Sequence, residues 1–212
     1  DPKVGEASEV FARLRPAIEN RFEQLADELH LAGYSLEWGG EYEDSRNAQT
    51  ALWGKIPAIG LLMVLMVVFL FNTIRQPLII FLTVPLAVIG VSAGLLSTNQ
   101  PFGFMALLGF MSLAGMLIKN AIVLIDEINT QLRTDKDPFV AVVDSGVSRV
   151  RPVSMAALTT VLGMLPLVTD AFFVSMAVAI MFGLTFATVL TLIVVPVLYV
   201  LFYRIPSPKP TG

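Results

Sequence analysis

The stretch that decides the fold is Leu52–Phe71, which reads LWGKIPAIGLLMVLMVVFLF. Leucine, methionine and valine dominate it, and Lys55 is its only charged residue. An α-helix rises 1.5 Å per residue, so about 20 apolar residues cross the hydrocarbon core of a bilayer. The stretch therefore predicts a transmembrane helix.

The composition of the whole chain agrees with a membrane protein. Hydrophobic residues make up 55% of the 212 residues, charged residues only 15%, and the mean hydropathy is +0.74. Between Lys55 and Lys119 the only charged side chain is Arg75, and between Arg151 and Arg204 it is Asp170. A soluble domain carries roughly a quarter charged residues. We conclude that the chain is an integral membrane protein.

Four further apolar segments follow the first. Turn residues separate most of them: Arg75-Gln-Pro77 precedes the second, and Ser97-Thr-Asn-Gln-Pro101 ends it. The predicted fold class is mainly α, a polytopic membrane bundle of about five transmembrane helices within residues 51–204. The spans are 52–71, 77–96, 102–128, 152–169 and 172–203, and residues 205–212 form a tail.

Residues 1–50 resemble a small α/β piece of a soluble domain. Apolar residues recur at helical spacing after Pro16, at Ile18, Phe22, Leu25 and Leu29, and Gly33 should stop that helix. The segment Tyr34–Trp38 alternates like a strand. One helix and one strand cannot form a core. Since the chain also opens mid-pattern without an initiator Met, we expect a fragment of a longer protein.

The short loops predict the orientation. Seven Lys or Arg residues lie in the turn at Arg75, in the stretch 129–151 and in residues 204–212, and none lies in the turns at 97–100 and 169–171. Positive loops stay in the cytoplasm. The N-terminal piece should then lie outside the cytoplasm and the C-terminus inside it.

Several function classes find no support. The chain has no cysteine and one histidine, His30, which leaves little scope for a metal site. Its net charge of −3 does not favour nucleic-acid binding. No P-loop and no pairing of a nucleophile with a base is present, so we expect neither a cofactor nor an enzyme.

Lys119 is the strongest candidate for function. It lies well inside the third span, where a charge costs about 2.5–3.5 kcal/mol on insertion scales. Ser112 and Gly115 precede it by seven and four residues and place it on a small-residue face. A role in ion coupling competes with a snorkelling or purely structural lysine. Asn120 beside it is either part of that site or a hydrogen-bonding contact between helices.

Other polar residues have strong structural interpretations. Arg149 and Arg151 suit positive-inside anchors, and Thr159 and Thr160 suit hydroxyls that bond to their own helix rather than a proton relay. We expect the acidic pair Asp126-Glu127 and Asp170 to be solvated. Gly90 and Gly94 have the GxxxG spacing that permits close helix packing.

Three motifs together resemble a known family. They are Gly115-Met-Leu-Ile-Lys119-Asn120-Ala121, Arg149-Val-Arg151-Pro152 and Leu158-Thr-Thr-Val-Leu-Gly163-Met-Leu-Pro166. They are similar to the C-terminal half of resistance-nodulation-division efflux transporters, and within them to the hydrophobe/amphiphile, multidrug branch. The resemblance covers nearly the whole chain. It implies that residues 1–50 end a periplasmic porter domain and that the spans are the eighth to twelfth of twelve.

The resemblance also implies roles for residues. A lysine at the Lys119 position pairs with two aspartates of another span, whose protonation drives the transport cycle, and an arginine at the Arg149 position belongs to the proton path. A relay threonine would fall at Ala156, so the match fails there, and Thr159 or Thr160 could substitute. The heavy-metal branch usually lacks this lysine, so Lys119-Asn120 argues against metal export.

The predicted function is therefore part of a proton-driven multidrug exporter of the bacterial inner membrane. The resemblance implies a homotrimer of the full-length protein in contact with membrane lipid. It further implies a periplasmic adaptor, an outer-membrane channel and amphiphilic substrates. The alternatives are a relative that exports lipid or protein, and a structural membrane module that transports nothing.

The orientation can be tested with single cysteines at Thr98 and Asp137 in the full-length protein. A membrane-impermeant thiol reagent applied to whole cells should label the cysteine at 98 and leave that at 137 unlabelled, because only the first turn is predicted to face the periplasm. The opposite labelling pattern would overturn the orientation.

Overall fold

The structure, a computed structural model, describes residues 7–28, 36, 38, 41–134 and 136–206. Within them are seven α-helices and no strand, and a 3-10 turn at Leu165–Thr169 follows the sixth helix. The chain divides into two compact units, Asp1–Ile59 and Gly60–Gly212. The helices are α1 Ala7–Glu28, α2 Glu41–Phe71, α3 Arg75–Leu82, α4 Val84–Ser97, α5 Phe104–Leu132, α6 Pro138–Met164 and α7 Val174–Tyr203.

The first unit contains α1, which differs from the prediction at its start. The helix begins at Ala7 and continues through Pro16, rather than beginning after it. Its predicted end at Leu29 and Gly33 lies outside the described residues. So does the predicted strand Tyr34–Trp38, apart from Leu36 and Trp38, which have no regular secondary structure.

Trp38 is attached to α1 through Glu19. The Trp38 Nε1 donates to Glu19 Oε1 at 2.9 Å, and the Arg15 Nε donates to the same oxygen at 2.7 Å. The indole ring also meets Phe11 edge-on, with ring centroids 4.7 Å apart. The hydrogen bond from Arg15, followed by that from Trp38, lowers the pKa of Glu19 from its ordinary value.

The second unit and the end of the first supply five segments that are long and apolar enough to cross a membrane. They are Arg46–Phe71, Arg75–Ser97, Phe104–Leu132, Pro138–Thr169 and Val174–Tyr203. The mainly α, five-span fold class is therefore confirmed. The helix of the fourth span, α6, begins 14 residues earlier than the predicted span. Asp137 caps its start by accepting from the backbone N–H groups of Phe139 and Val140 at 2.9 and 3.3 Å.

The second span is broken into α3 and α4 at Thr83. Pro85 lies in the first turn of α4, and a proline has no N–H to continue the hydrogen bonds of a preceding helix. The buried Thr83 hydroxyl donates to the Ile80 carbonyl at 2.7 Å, which occupies one of the carbonyls at the break. Irregular backbone at this depth is tolerated where it is buried in protein.

The bundle is organised around α7, which packs against α4, α5 and α6. One apolar cluster, which includes Ala87, Ala106, Leu113 and Val178, fills the predicted outer half. A second, which includes Ile80, Ile125, Val142 and Val195, fills the predicted inner half. Small residues recur in the outer cluster, as expected where helices approach closely in lipid.

Gly90 and Gly94 lie where α4 approaches α7. A Cβ at Gly90 would be 2.7 Å from the Phe186 Cβ and 2.9 Å from the Phe182 carbonyl oxygen. One at Gly94 would be 2.5 Å from the Phe182 Cβ. These neighbours are backbone or near-backbone atoms, so they cannot rotate away, and the α4–α7 approach requires glycine at both positions.

Alanine at these positions should destabilise the bundle. Gly90→Ala or Gly94→Ala should cost about 1–3 kcal/mol, the usual effect of overpacking, although alanine is the better helix former by about 1 kcal/mol. Gly60→Ala is the matched control, since a Cβ there meets nothing within 4 Å. Thermal unfolding of the full-length protein in detergent should rank both variants below wild type and the control at or above it. Equal melting temperatures for all three would mean that the close approach contributes no stability.

Candidate functional site

Lys119 lies near the middle of α5, on a face that this chain leaves open. Ser112, Gly115 and Lys119 are all exposed, and a Cβ at Gly115 would meet no atom within 4 Å. No ion pair of Lys119 occurs among the described residues. The opposite face of α5 is packed, with Leu113, Leu117 and Ala121 fully buried. The ammonium thus points away from the core of this bundle.

Asn120 is adjacent in sequence but lies on another face of α5. It stands three residues after Leu117 and four before Leu124, both buried, and is itself partly buried. Residues at these spacings share one side of a helix. The structure therefore separates the two neighbours: Lys119 is on the open face and Asn120 is at the edge of the packed one.

Thr159 and Thr160 both bond to their own helix. The Thr159 hydroxyl donates to the Met155 carbonyl at 2.8 Å and lies 3.0 Å from the Ala156 carbonyl oxygen. The Thr160 hydroxyl donates to the Ala156 carbonyl at 2.9 Å. This is the usual bonding of a threonine inside a helix. The structure does not bring either hydroxyl to Lys119 or Arg149 through a hydrogen bond.

Arg149 of α6 forms an ion pair with Glu127 of α5. The Arg149 Nη2 donates to Glu127 Oε2, and the Gln131 Nε2 donates to the other carboxylate oxygen at 3.1 Å. The side chains are 31% and 19% exposed, respectively. The prediction that Glu127 is solvated is therefore wrong, because the carboxylate is held between two helices. Since α6 begins at Pro138, it already lies beside α5 at the position of Arg149. Asp126, by contrast, is exposed as predicted.

A second polar link joins three helices at the same end of the bundle. Gln76 of α3 and Asn129 of α5 exchange two amide hydrogen bonds of 3.0 and 3.2 Å. The Tyr199 hydroxyl of α7 donates to the same Asn129 oxygen at 2.9 Å. Tyr199 stacks on Tyr203, over which the Arg75 guanidinium lies 5.7 Å from the ring centroid. This link and the Arg149–Glu127 pair fix the end of α5 on all its packed sides.

Sequence reasoning missed the residues of this link. Gln76, Asn129 and Tyr199 are each unremarkable near the end of a span, where polar and aromatic residues are expected at the interface. The available signal was their position: all three lie at span ends predicted to be cytoplasmic. Pairing across 53 and 70 residues follows only from the packing of the helices.

Within the described part of the chain no group of three His, Asp or Glu side chains could hold a metal ion. The arrangement is one of apolar spans, with the Lys119 ammonium near the middle of α5 and polar contacts at one end of the bundle. A statistical description of the AcrB/AcrD/AcrF family matches residues 7–203, and the chain belongs to this family of resistance-nodulation-division transporters. It is a family of transporters and not of enzymes.

Known relatives differ in the kind of resistance for which they are named. The chain is 33% identical over 178 residues to the cobalt-zinc-cadmium resistance protein CzcA of Cupriavidus metallidurans, covering 82% of this chain and 17% of CzcA. It is 30% identical over 195 residues to the multidrug resistance protein MdtC of Escherichia coli (strain UTI89 / UPEC), covering 89% of this chain and 19% of MdtC. The chain thus spans less than a fifth of the length of these relatives.

A solved structure shares the fold. The crystal structure of a heavy metal efflux pump (crystal form II) superposes with a TM-score of 0.68 and 30% identity, over 87% of this chain and 20% of that one. This similarity supports the five-span arrangement of the transporter's membrane domain.

The Arg149–Glu127 pair should be worth more than an ordinary surface pair. A double-mutant cycle with Glu127→Gln and Arg149→Gln, followed by thermal unfolding, should give a coupling of roughly 1 kcal/mol. This coupling free energy lies between the values typical of exposed ion pairs and those of buried charged hydrogen bonds. The more exposed pair Lys136–Asp144, 3.0 Å apart, is the control and should give about 0–0.5 kcal/mol. Equal couplings for the two pairs would show that partial burial between α5 and α6 adds nothing.

Proposed function

We propose that this chain is the C-terminal membrane portion of a proton-driven exporter that moves amphiphilic small molecules out of the bacterial inner membrane. The observation that carries the proposal is the Lys119 ammonium on the open face of α5. A charge at that depth is costly unless it faces protein or water. The open face is therefore where the rest of the transporter packs, and a carboxylate of that part would be the partner of Lys119.

Proton coupling follows from the chemistry of such a pair. An ionised carboxylate holds the ammonium, and a carboxylate that takes up a proton releases it. The lysine then changes partners, and α5 shifts. Because Asn129 joins α5 to α3 and α7, and Glu127 joins it to α6, a shift of α5 would move the bundle as a body. Binding energy for a proton is thereby converted into helix movement.

Several features of the full-length transporter belong to the same proposal. It would be a homotrimer that passes substrates to a periplasmic adaptor and an outer-membrane channel. The N-terminal piece would be periplasmic and the C-terminus cytoplasmic, in agreement with the seven positive charges of the inner loops. Arg149 would serve the proton path near its cytoplasmic end, and Asn120, Thr159 and Thr160 would serve it within the membrane.

Metal export is the second candidate. It is favoured by the 33% identity to a cobalt-zinc-cadmium resistance protein and by the fold shared with a heavy metal efflux pump. The Lys119-Asn120 pair favours the multidrug branch and is our reason for placing it first. The 30% identity to a multidrug resistance protein is lower than the 33% identity to the metal resistance protein and does not by itself favour that branch. Substrate choice rests on regions outside this chain in either case.

The two candidates are separated by expressing the full-length gene in a host without its own pumps. We expect raised tolerance to amphiphilic dyes and detergents and unchanged tolerance to cobalt, zinc, cadmium and nickel salts. The reverse result would replace the proposal with metal export. No change for either group would favour a structural module or export of lipid or protein.

Lys119 carries the sharpest prediction. Lys119→Ala should abolish efflux with normal protein level and trimer assembly, and Lys119→Arg should be badly impaired, because a rigid guanidinium fork does not reproduce the contacts of an ammonium. Arg133→Ala is the matched control: it removes a positive charge from the exposed end of the same helix. Drug accumulation assays with blots measure the outcome. Normal efflux by Lys119→Ala would show that the lysine is only a structural cation.

A further inference from the structure

Two buried hydroxyls of α7 have no hydrogen-bond partner in the described part of the protein. They are those of Thr188 and Thr191, which are 5% and 3% exposed. A buried polar group without a partner is costly, and native proteins satisfy nearly all of them with protein or ordered water. These two hydroxyls therefore require an explanation.

These two hydroxyls do not form the hydrogen bond within their own helix that is usual for a threonine. A threonine in a helix can donate to a carbonyl three or four residues earlier. Many other hydroxyls of the spans do this with distances of 2.7 to 2.9 Å, among them Thr83, Ser97, Ser145, Thr159, Thr160 and Thr185. Thr185 is on the same helix, one turn before Thr188. Local backbone geometry therefore does not prevent such bonds in α7.

The depth of the two hydroxyls follows from the packing of α5 against α7. Three contacts define the register: Gly109 with Ala179, Leu113 with Gly183, and Asn129 with Tyr199. In each pair the α7 residue number exceeds the α5 number by 70, so the helices run parallel at constant register. Thr188 and Thr191 are thus level with Ile118 and Ala121, on either side of Lys119 and Asn120.

The face of α7 that carries the two hydroxyls also carries a residue that bonds to α5. Thr188, Thr191, Val195 and Tyr199 follow one another at spacings of three or four, which places them on one face. Tyr199 on that face bonds to Asn129 of α5, and Val195 is fully buried in the inner cluster. On α5, Asn120 lies at the edge of the packed face at the same depth, and no hydrogen bond of its side chain is found within the described residues.

We propose that Thr188 and Thr191 hold ordered water between α5 and α7, with Asn120 as a third polar partner, and that this water is part of the proton path. A buried water makes two to four hydrogen bonds, and three such groups at one depth meet that need. A proton that arrives on one side of the water displaces a different proton on the other side, so the water and both hydroxyls end neutral. The second half of this proposal rests on the proposed proton-driven function.

The test uses Thr188→Val and Thr191→Val, singly and together, in the full-length transporter. Valine keeps the shape of threonine and removes the hydroxyl. Thr188→Ser and Thr191→Ser retain the hydroxyl, and Thr185→Val is the matched control, since that exposed hydroxyl bonds to its own helix. Two quantities are measured: the melting temperature in detergent, and proton entry into proteoliposomes under an imposed pH gradient, followed with an internal pH-sensitive dye.

If the two hydroxyls hold an ordered water, the melting temperature of the valine variants should be unchanged or lower than that of wild type, because the water and Asn120 lose hydrogen-bond partners. Proton entry should fall by about tenfold, the effect of a barrier raised by roughly one hydrogen bond. The serine variants and Thr185→Val should keep both properties. Should the double variant not assemble, the single variants decide the outcome by the same criteria.

A higher melting temperature in the valine variants would overturn the water site, because it would mean that the hydroxyls were merely unsatisfied. Normal proton entry in those variants would overturn the role in the proton path. The failure of this proposal differs from that of the proposed function: if Lys119→Ala stops proton entry while the valine variants do not, only the present proposal fails. If wild type itself shows no proton entry, the proposed function fails, and the melting temperatures still decide the water site.

Discussion

The close contact between α4 and α7 is the constraint on which the bundle depends. Lipid tails are as apolar as leucine, so helices in a bilayer gain little from burying apolar surface, and dispersion contacts between closely approaching backbones become more important. Gly90 and Gly94 permit that approach, with Phe182 and Phe186 in the spaces a side chain would occupy. Once α7 is held by α4, its other faces are presented to α5 and α6.

The two halves of the bundle are held by different forces. Close packing of alanine, glycine, valine and leucine fills the predicted outer half, whereas amide, phenol and ion-pair contacts join the helices at the predicted inner end. A hydrogen bond between helices in a membrane contributes about 0.6 kcal/mol on average. Its value here is mainly directional, since Asn129 can satisfy Gln76 and Tyr199 in only one register of α3, α5 and α7.

Much of the fold could be predicted from the sequence, because membrane insertion depends on the length and polarity of single segments. Each of the five spans was found for that reason. The early start of α6 was missed because the part of the helix before the predicted span contains charged residues. Asp144, Arg149 and Arg151 suggest a loop by composition, although Asp137 and Pro138 provide a helix start. The partners of Arg149 and Asn129 could not be predicted, because each depends on the register between helices that are far apart in the chain.

The small number of buried side chains on α2 has a consequence for how the protein is inserted into the membrane. Among its described side chains only Val67 is buried, and Leu62, Met66 and Phe69 are 67%, 74% and 90% exposed. A helix with so few buried side chains is stable in lipid by itself, because the backbone hydrogen bonds of a helix lie within it. During synthesis α2 can therefore enter the membrane and remain there while α3 to α7 assemble after it.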